Sequence, residues 1–160
     1  MSTAPEEGSL ADEQVDAVTD ALMAASRVLV AVSARSIAAV DESISLPQFR
    51  VLVVLSDAGR RKITELADVL GVNPSTATRA VDRLSEAGLV DRQTNPRSRR
   101  EALVSLTAAG RQAVDEVMRL RRAEIAGIVA RMPRTHQRGF VRALTAFNEA
   151  GGESVLSPRH

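Results

Sequence analysis

Apolar or small residues recur at Val15, Val18, Leu22, Ala25, Leu29, Val32 and Ser36, in alternating steps of three and four. Such a row predicts a long amphipathic helix whose seam seeks a helical partner, although the core helix of a monomer carries the same pattern. Asp41 to Ser45 break the spacing, and Pro47 suits the first turn of a second helix that runs to about Leu55 and closes at the glycine of "DAGRRK". Ile63, Leu66, Ala67 and Leu70 occupy i, i+3, i+4 and i+7, which predicts a short helix stopping at Gly71. A tight turn at Val72 and Asn73 follows, and Pro74 opens another helix. Its inward side is Ala77, Val81, Leu84 and Ala87, and its other side carries Ser75, Thr76, Arg79 and Arg83.

Two short helices joined by a glycine turn, the second with hydroxyls and arginines on one face, predict a helix-turn-helix. A helical hairpin with a polar outside has the same pattern. The next segment separates the two. After Gly88, "LVDRQ" and "EALVSL" both alternate around the turn-prone "TNPRS", which predicts a β-hairpin with Arg97, Arg99 and Arg100 at or near its tip. A helix-turn-helix followed directly by an arginine-tipped hairpin is a winged helix, and the tip would reach phosphates or the minor groove beside the recognition helix. Helical spacing then resumes with Thr107 as cap and Val114, Val117, Met118, Ile125, Ile128 and Met132 along one side, up to Pro133. A last helix with Phe140, Leu144 and Phe147 inward ends at Gly151, and "ESVLSPRH" reads as a flexible tail.

Composition narrows the function. With 160 residues and 44% hydrophobic content, the chain can bury one good core and a small satellite. No apolar run is read as long enough to cross a bilayer, and the acidic start lacks the basic residues of a secretory signal, so no membrane partner is expected and the cytoplasm is the default location. There is no cysteine, which removes disulfides and thiol switches, and the two histidines, His136 and His160, are too few for a metal cluster. No metal site or cofactor is expected. Residues up to Ser26 hold six acids and no base, whereas Arg60 to Arg100 hold nine bases and five acids, about +4. The middle of the chain is the side that would face a polyanion. Catalysis is not expected, because His136 has no nucleophile elbow or phosphate loop to serve. RNA binding lacks its stacking residues, since Phe49, Phe140 and Phe147 are the only aromatics and all fall at apolar helical positions.

The order of elements, with "ITELADVLGVNPSTATRAVDRLSEAGLVDR" and the wing ending "RREALVSLTAAG", resembles the MarR family of bacterial winged-helix transcriptional regulators. The resemblance runs from about Val15 to Ala150, and its closing signature is Leu106, Thr107 and Gly110. It implies a mainly α fold with a small β-hairpin, an α+β winged helix-turn-helix with a helical dimerisation domain. The chain then divides into a flexible N-terminus at 1–10, a helical dimerisation domain at 11–45 and 107–152, a winged helix-turn-helix DNA-binding domain at 46–106, and a flexible tail at 153–160.

The function so implied is that of a sequence-specific regulator, a repressor, binding a palindromic double-stranded operator as a homodimer and released by a small-molecule ligand. The rival is a helical protein-interaction module with a winged-helix fold and no specific DNA readout. The DNA-binding candidates are Ser75, Thr76, Thr78, Arg79 and Arg83 on the recognition helix and Arg97, Arg99 and Arg100 on the wing. Wings of the family commonly carry an aspartate two residues before that last arginine, and Ser98 stands there instead. A serine cannot hold a guanidinium by charge, so this wing is expected to lean on phosphate attraction. The resemblance also places a small organic anion or aromatic effector at the junction of the two parts, near Arg35, Ser36, Phe49, Arg50 and Arg92.

Overall fold

The computed structural model describes residues 6–95 and 98–152, with side chains at 11–94 and 102–152. Helices α1 (Glu6–Val40), α2 (Leu46–Ala58), α3 (Ile63–Leu70), α4 (Pro74–Glu86), α5 (Ala108–Ala130) and α6 (Arg134–Ala150) accompany strands β1 (Arg61–Lys62), β2 (Val90–Asn95) and β3 (Ser98–Leu106). The protein is mainly α with one small antiparallel sheet, ordered β1-β3-β2. Compactness divides the chain within α5, between Arg121 and Arg122.

In the first unit, Val32, Val51, Leu52, Leu55, Leu66, Val81, Leu84, Val104 and Val117 are fully buried in a single core. Each element contributes the residues its periodicity selected. Ala77, Val81 and Leu84 are inward on α4 as predicted, whereas Ala87, one residue past the helix end, is exposed. Capping fixes the helix starts. Ser45 and Gln48 form a reciprocal box at α2, where the Ser45 N–H donates to Gln48 Oε1 at 2.7 Å and the Gln48 N–H donates to Ser45 Oγ at 3.3 Å.

Strand β1 is an addition to the expected hairpin. Arg61 pairs with Val104 and Lys62 with Leu103. Two polar residues show no alternation, so nothing in the sequence distinguishes them from the loop after α2. The β2–β3 ladder runs from Val90 opposite Leu106 to Thr94 opposite Ala102, then slips so that Asn95 faces Ser98.

The corner between β3 and α5 explains the "LTAAG" signature. Thr107 Oγ1 accepts the Gly110 N–H at 3.0 Å and donates to the Gly88 carbonyl at 2.7 Å, while the Thr107 N–H donates to the Leu89 carbonyl at 3.1 Å. One residue therefore caps α5 and ties it to the turn leaving α4. The approach is so close that a Cβ on Gly110 would lie 2.0 Å from Leu89 O. Only glycine fits there without moving backbone.

Two expectations need correction. Phe140, Leu144 and Phe147 are not inward: α6 has no buried residue, Phe140 and Phe147 are exposed and Leu144 is half-buried. The amphipathic face is real, but this chain supplies too little surface to cover it. The expectation that no apolar run reaches bilayer length also fails. Ala11–Val40 is long and apolar enough, with an 18-residue window of no more than two charges, because small alanines and serines link its aliphatic residues without a break. Only 11% of that window is covered within the chain. Leu22 and Ala25 are half-buried and Val32 and Ser36 buried, while Val15, Val18 and Leu29 of the same predicted row are exposed. An uncovered helix face has the same composition as a span, so length alone does not make it one.

Candidate nucleic-acid interface

The turn between α3 and α4 sets the site. Gly71 adopts φ 66° and ψ 34°, the left-handed conformation that closes α3, and the Val72 N–H then donates to the Ala67 carbonyl at 3.0 Å. Asn73 caps α4 from the other side. Its Oδ1 accepts from the Thr76 N–H and the Thr76 hydroxyl, both at 2.9 Å, and from the Ser75 hydroxyl at 2.7 Å. The start of α4 is thus held against the end of α3 by local bonds alone.

On α4, Ser75, Thr76, Arg79 and Arg83 are all exposed, opposite the buried Ala77, Val81 and Leu84. Ser75, Arg79 and Arg83 lie at steps of four and form one line along the helix. The Arg79 Nε–H donates to the Ser75 carbonyl at 3.3 Å, which lays the side chain toward the helix start and leaves its terminal nitrogens outward. Arg83 has no ion-pair partner among the described residues. Thr78 sits differently. It is half-buried, and its hydroxyl donates to the Pro74 carbonyl at 2.8 Å.

The hydroxyl hydrogens of Ser75, Thr76 and Thr78 are therefore all engaged within the helix start, so these residues present acceptor lone pairs outward. Donation from this face falls to the two arginines. The wing residue Arg97 lies outside the described residues, and Arg99, Arg100 and Ser98 are described only as backbone of β3.

Arg92 on β2 is committed elsewhere. Its Nη1 meets Asp82 Oδ1 on α4 at 2.5 Å, with side chains 40% and 48% exposed. The pair ties the wing's first strand to the arginine-bearing helix. Nothing in the sequence signals it, since ten residues and a turn separate the partners. The cap at Asn73 was legible, because an asparagine before proline and two hydroxyl residues is a helix-start pattern.

The five residues expected near an effector do not line one cavity. Phe49 is core, Ser36 is buried with its hydroxyl donated to the Val32 carbonyl at 2.8 Å, and Arg35 and Arg50 are exposed. A shallow hollow of about 50 Å³ between α2 and α4, bordered by Pro47, Arg50, Val51, Leu70, Val72, Thr76, Ala77 and Ala80, includes only Arg50 of the five.

Comparison with known proteins agrees with this architecture. The model of the MarR family matches residues 44–102, the segment from the start of α2 into the wing. The HTH-type transcriptional repressor Rv2887 of Mycobacterium tuberculosis is 33% identical over 101 residues, covering 63% of this chain and 73% of that protein. The HTH-type transcriptional regulator YfiV of Bacillus subtilis is 36% identical over 63 residues, 39% of each chain. The matched stretch spans about half or less of such curated relatives, 55% for MdtR and 47% for IacR. Among solved structures, RV1404 from Mycobacterium tuberculosis superposes with a TM-score of 0.80 at 57% identity, covering 87% of this chain and 95% of that one. With a winged helix-turn-helix closed by the Thr107–Gly110 corner and relatives matched across most of their length, the chain belongs to the MarR family.

Proposed function

We propose that this protein is a cytoplasmic transcriptional repressor that binds a palindromic double-stranded operator as a homodimer. One observation carries the proposal: α4 turns its apolar face wholly into the core and its Ser75, Arg79 and Arg83 line wholly to solvent. A helix held so rigidly, with outward guanidinium groups, suits bidentate contacts to guanine in the major groove. The name of the Rv2887 relative, a repressor, supports the same reading. In it, residues 46–106 form the DNA-binding domain, and 11–45 with 107–152 the dimerisation domain. The uncovered apolar faces of α1 and α6 are what a second copy would cover, and a two-fold dimer would set two recognition helices about 34 Å apart.

Release by a small organic anion belongs to the same proposal. Ligand pockets usually enclose about 300 to 1,000 Å³, so the hollow beside Arg50 is too small as it stands. Thr76, Ala77 and Ala80 form its α4 side, and an occupant that enlarged it would have to displace the recognition helix.

Selection from random DNA tests the readout. A preferred palindrome should emerge, and Arg79→Ala should weaken it by about 1 to 3 kcal/mol while hardly changing affinity for unrelated DNA. Arg99→Ala should weaken all sequences and reduce the slope of log K against log salt by about 0.9 per lost phosphate contact. No preferred sequence, with binding abolished at moderate salt, would instead favour a protein-interaction module.

A further inference from the structure

Helix α6 carries Arg134, Arg138 and Arg142 at steps of four, so their side chains share one side of the helix over roughly 12 Å. All three are exposed, and none has an ion-pair or hydrogen-bond partner among the described residues. No acid stands between Arg131 and Arg142. Like charges at this spacing weaken the helix that bears them, so the row favours an opposite charge from outside. Helix α1 carries the complement. Asp12, Asp16 and Asp20 also fall at steps of four, are exposed, and have no partner among the described residues. Each row adjoins uncovered apolar residues, Val15 and Val18 (63% and 54% exposed) on α1, and Phe140, Val141 and Phe147 (42%, 66% and 53%) on α6.

We infer that the aspartate row of one copy seats on the arginine row of a second copy, with the flanking apolar residues closing over one another. The inference rests on the homodimer reading above and adds which surfaces meet. Matching spacing, opposite sign and adjacent apolar surface together select this occupant. In a two-fold dimer the contact occurs twice, so three charge pairs become six. Exposed pairs are individually weak and are screened by salt, so dimerisation should weaken as salt rises. A purely apolar interface would not weaken in this way.

The test uses two full-length variants, Asp12→Arg/Asp16→Arg/Asp20→Arg and Arg134→Asp/Arg138→Asp/Arg142→Asp, studied by sedimentation at about 50 mM salt, where surface charges are least screened. Each variant alone should dissociate on the order of 100-fold more readily than the wild type. An equimolar mixture should recover to within about tenfold of it. In a mixed dimer, reversed α1 of one chain meets reversed α6 of the other at both contacts, so recovery requires pairing between copies. A pairing within one chain would stay repulsive in both variants whatever is mixed, and absence of recovery overturns the inference. Variants that both dimerise like the wild type overturn it too, while the homodimer reading stands; a wild type that is monomeric at all concentrations overturns both. Loss of nonspecific DNA affinity from the arginine reversal, with the dimer intact, would assign the row to phosphates and likewise overturn it. Circular dichroism checks helical content. Where a reversal lowers it, the neutral triples with Asn and Gln at the same positions replace it, and each should abolish the salt dependence of dimerisation; its retention overturns the inference.

Discussion

Gly110→Ala is the sharpest test of how the wing is joined to the helices. The added Cβ would stand 2.0 Å from Leu89 O, 3.0 Å from Leu89 C and 3.2 Å from Leu106 Cδ2. Carbon–oxygen contacts settle at about 3.3 to 3.6 Å, so the carbonyl must retreat by more than about 1 Å. It belongs to the backbone and cannot rotate aside. Relief means drawing α5 away from the α4–β2 turn, which stretches the bonds from Thr107 to Leu89 and Gly88. Overpacking costs about 1 to 3 kcal/mol, and two strained hydrogen bonds about 0.5 to 1.5 each. The gain from replacing glycine in a helix is at most about 1 kcal/mol. The net is a loss of about 2 to 4 kcal/mol. Gly139→Ala is the counterpart, because nothing lies within 4 Å of its Cβ position in α6, and it should stabilise by about 0.5 to 1 kcal/mol. Urea unfolding at fixed protein concentration measures both as shifts in midpoint at unchanged slope. A Gly110→Ala midpoint equal to or above the wild type would refute the close-approach argument.

Asn73→Ala should cost about 1 kcal/mol and loosen the first turn of α4, whereas Asn73→Asp should retain the cap; thermal unfolding ranks the two. Asp82→Asn should destabilise by no more than about 1 kcal/mol, since its pair with Arg92 is nearly half exposed, and the difference should vanish in 1 M salt when unfolding is repeated there. The Asp41 carboxylate accepts the Ser43 hydroxyl at 2.6 Å and the Ser43 N–H at 2.8 Å, which hold its pKa below the usual aspartate value. A lowered folded-state pKa gives stability that is present above the unfolded value and lost as pH falls through the folded one. The advantage of wild type over Asp41→Asn in unfolding experiments should therefore persist at neutral pH and fade below about pH 4.

The recognition helix was legible because its two faces obey one period. Ala77, Val81 and Leu84 lie in the core, and Ser75, Thr76, Arg79 and Arg83 lie in solvent. Side-chain hydroxyls were less legible. The sequence places Thr78 beside Arg79, but whether Thr78 faces outward depends on its bond to the Pro74 carbonyl, a choice between local partners that spacing does not encode. Phe49 illustrates the opposite failure. An aromatic next to an arginine suggests a ligand site, yet its neighbours in three dimensions are core aliphatics, and it is buried among them.

Periodicity states that a helix has an apolar face; it does not state whose surface covers that face. For α4 the cover is intramolecular, and sequence and structure agree. For α1 and α6 the same kind of pattern meets solvent, with Val15, Val18, Phe140 and Phe147 exposed. Misreading Phe140 and Phe147 as core residues and overlooking the bilayer length of α1 share this cause. Burial is a property of an assembly, whereas hydropathy belongs to a segment. The charges carry the missing information. A lipid environment would give no reason for Asp12, Asp16 and Asp20 to continue one helix as a polar row, or for Arg134, Arg138 and Arg142 to repeat that spacing with opposite sign on another. Aqueous docking between copies accounts for both the uncovered apolar surface and the charge beside it.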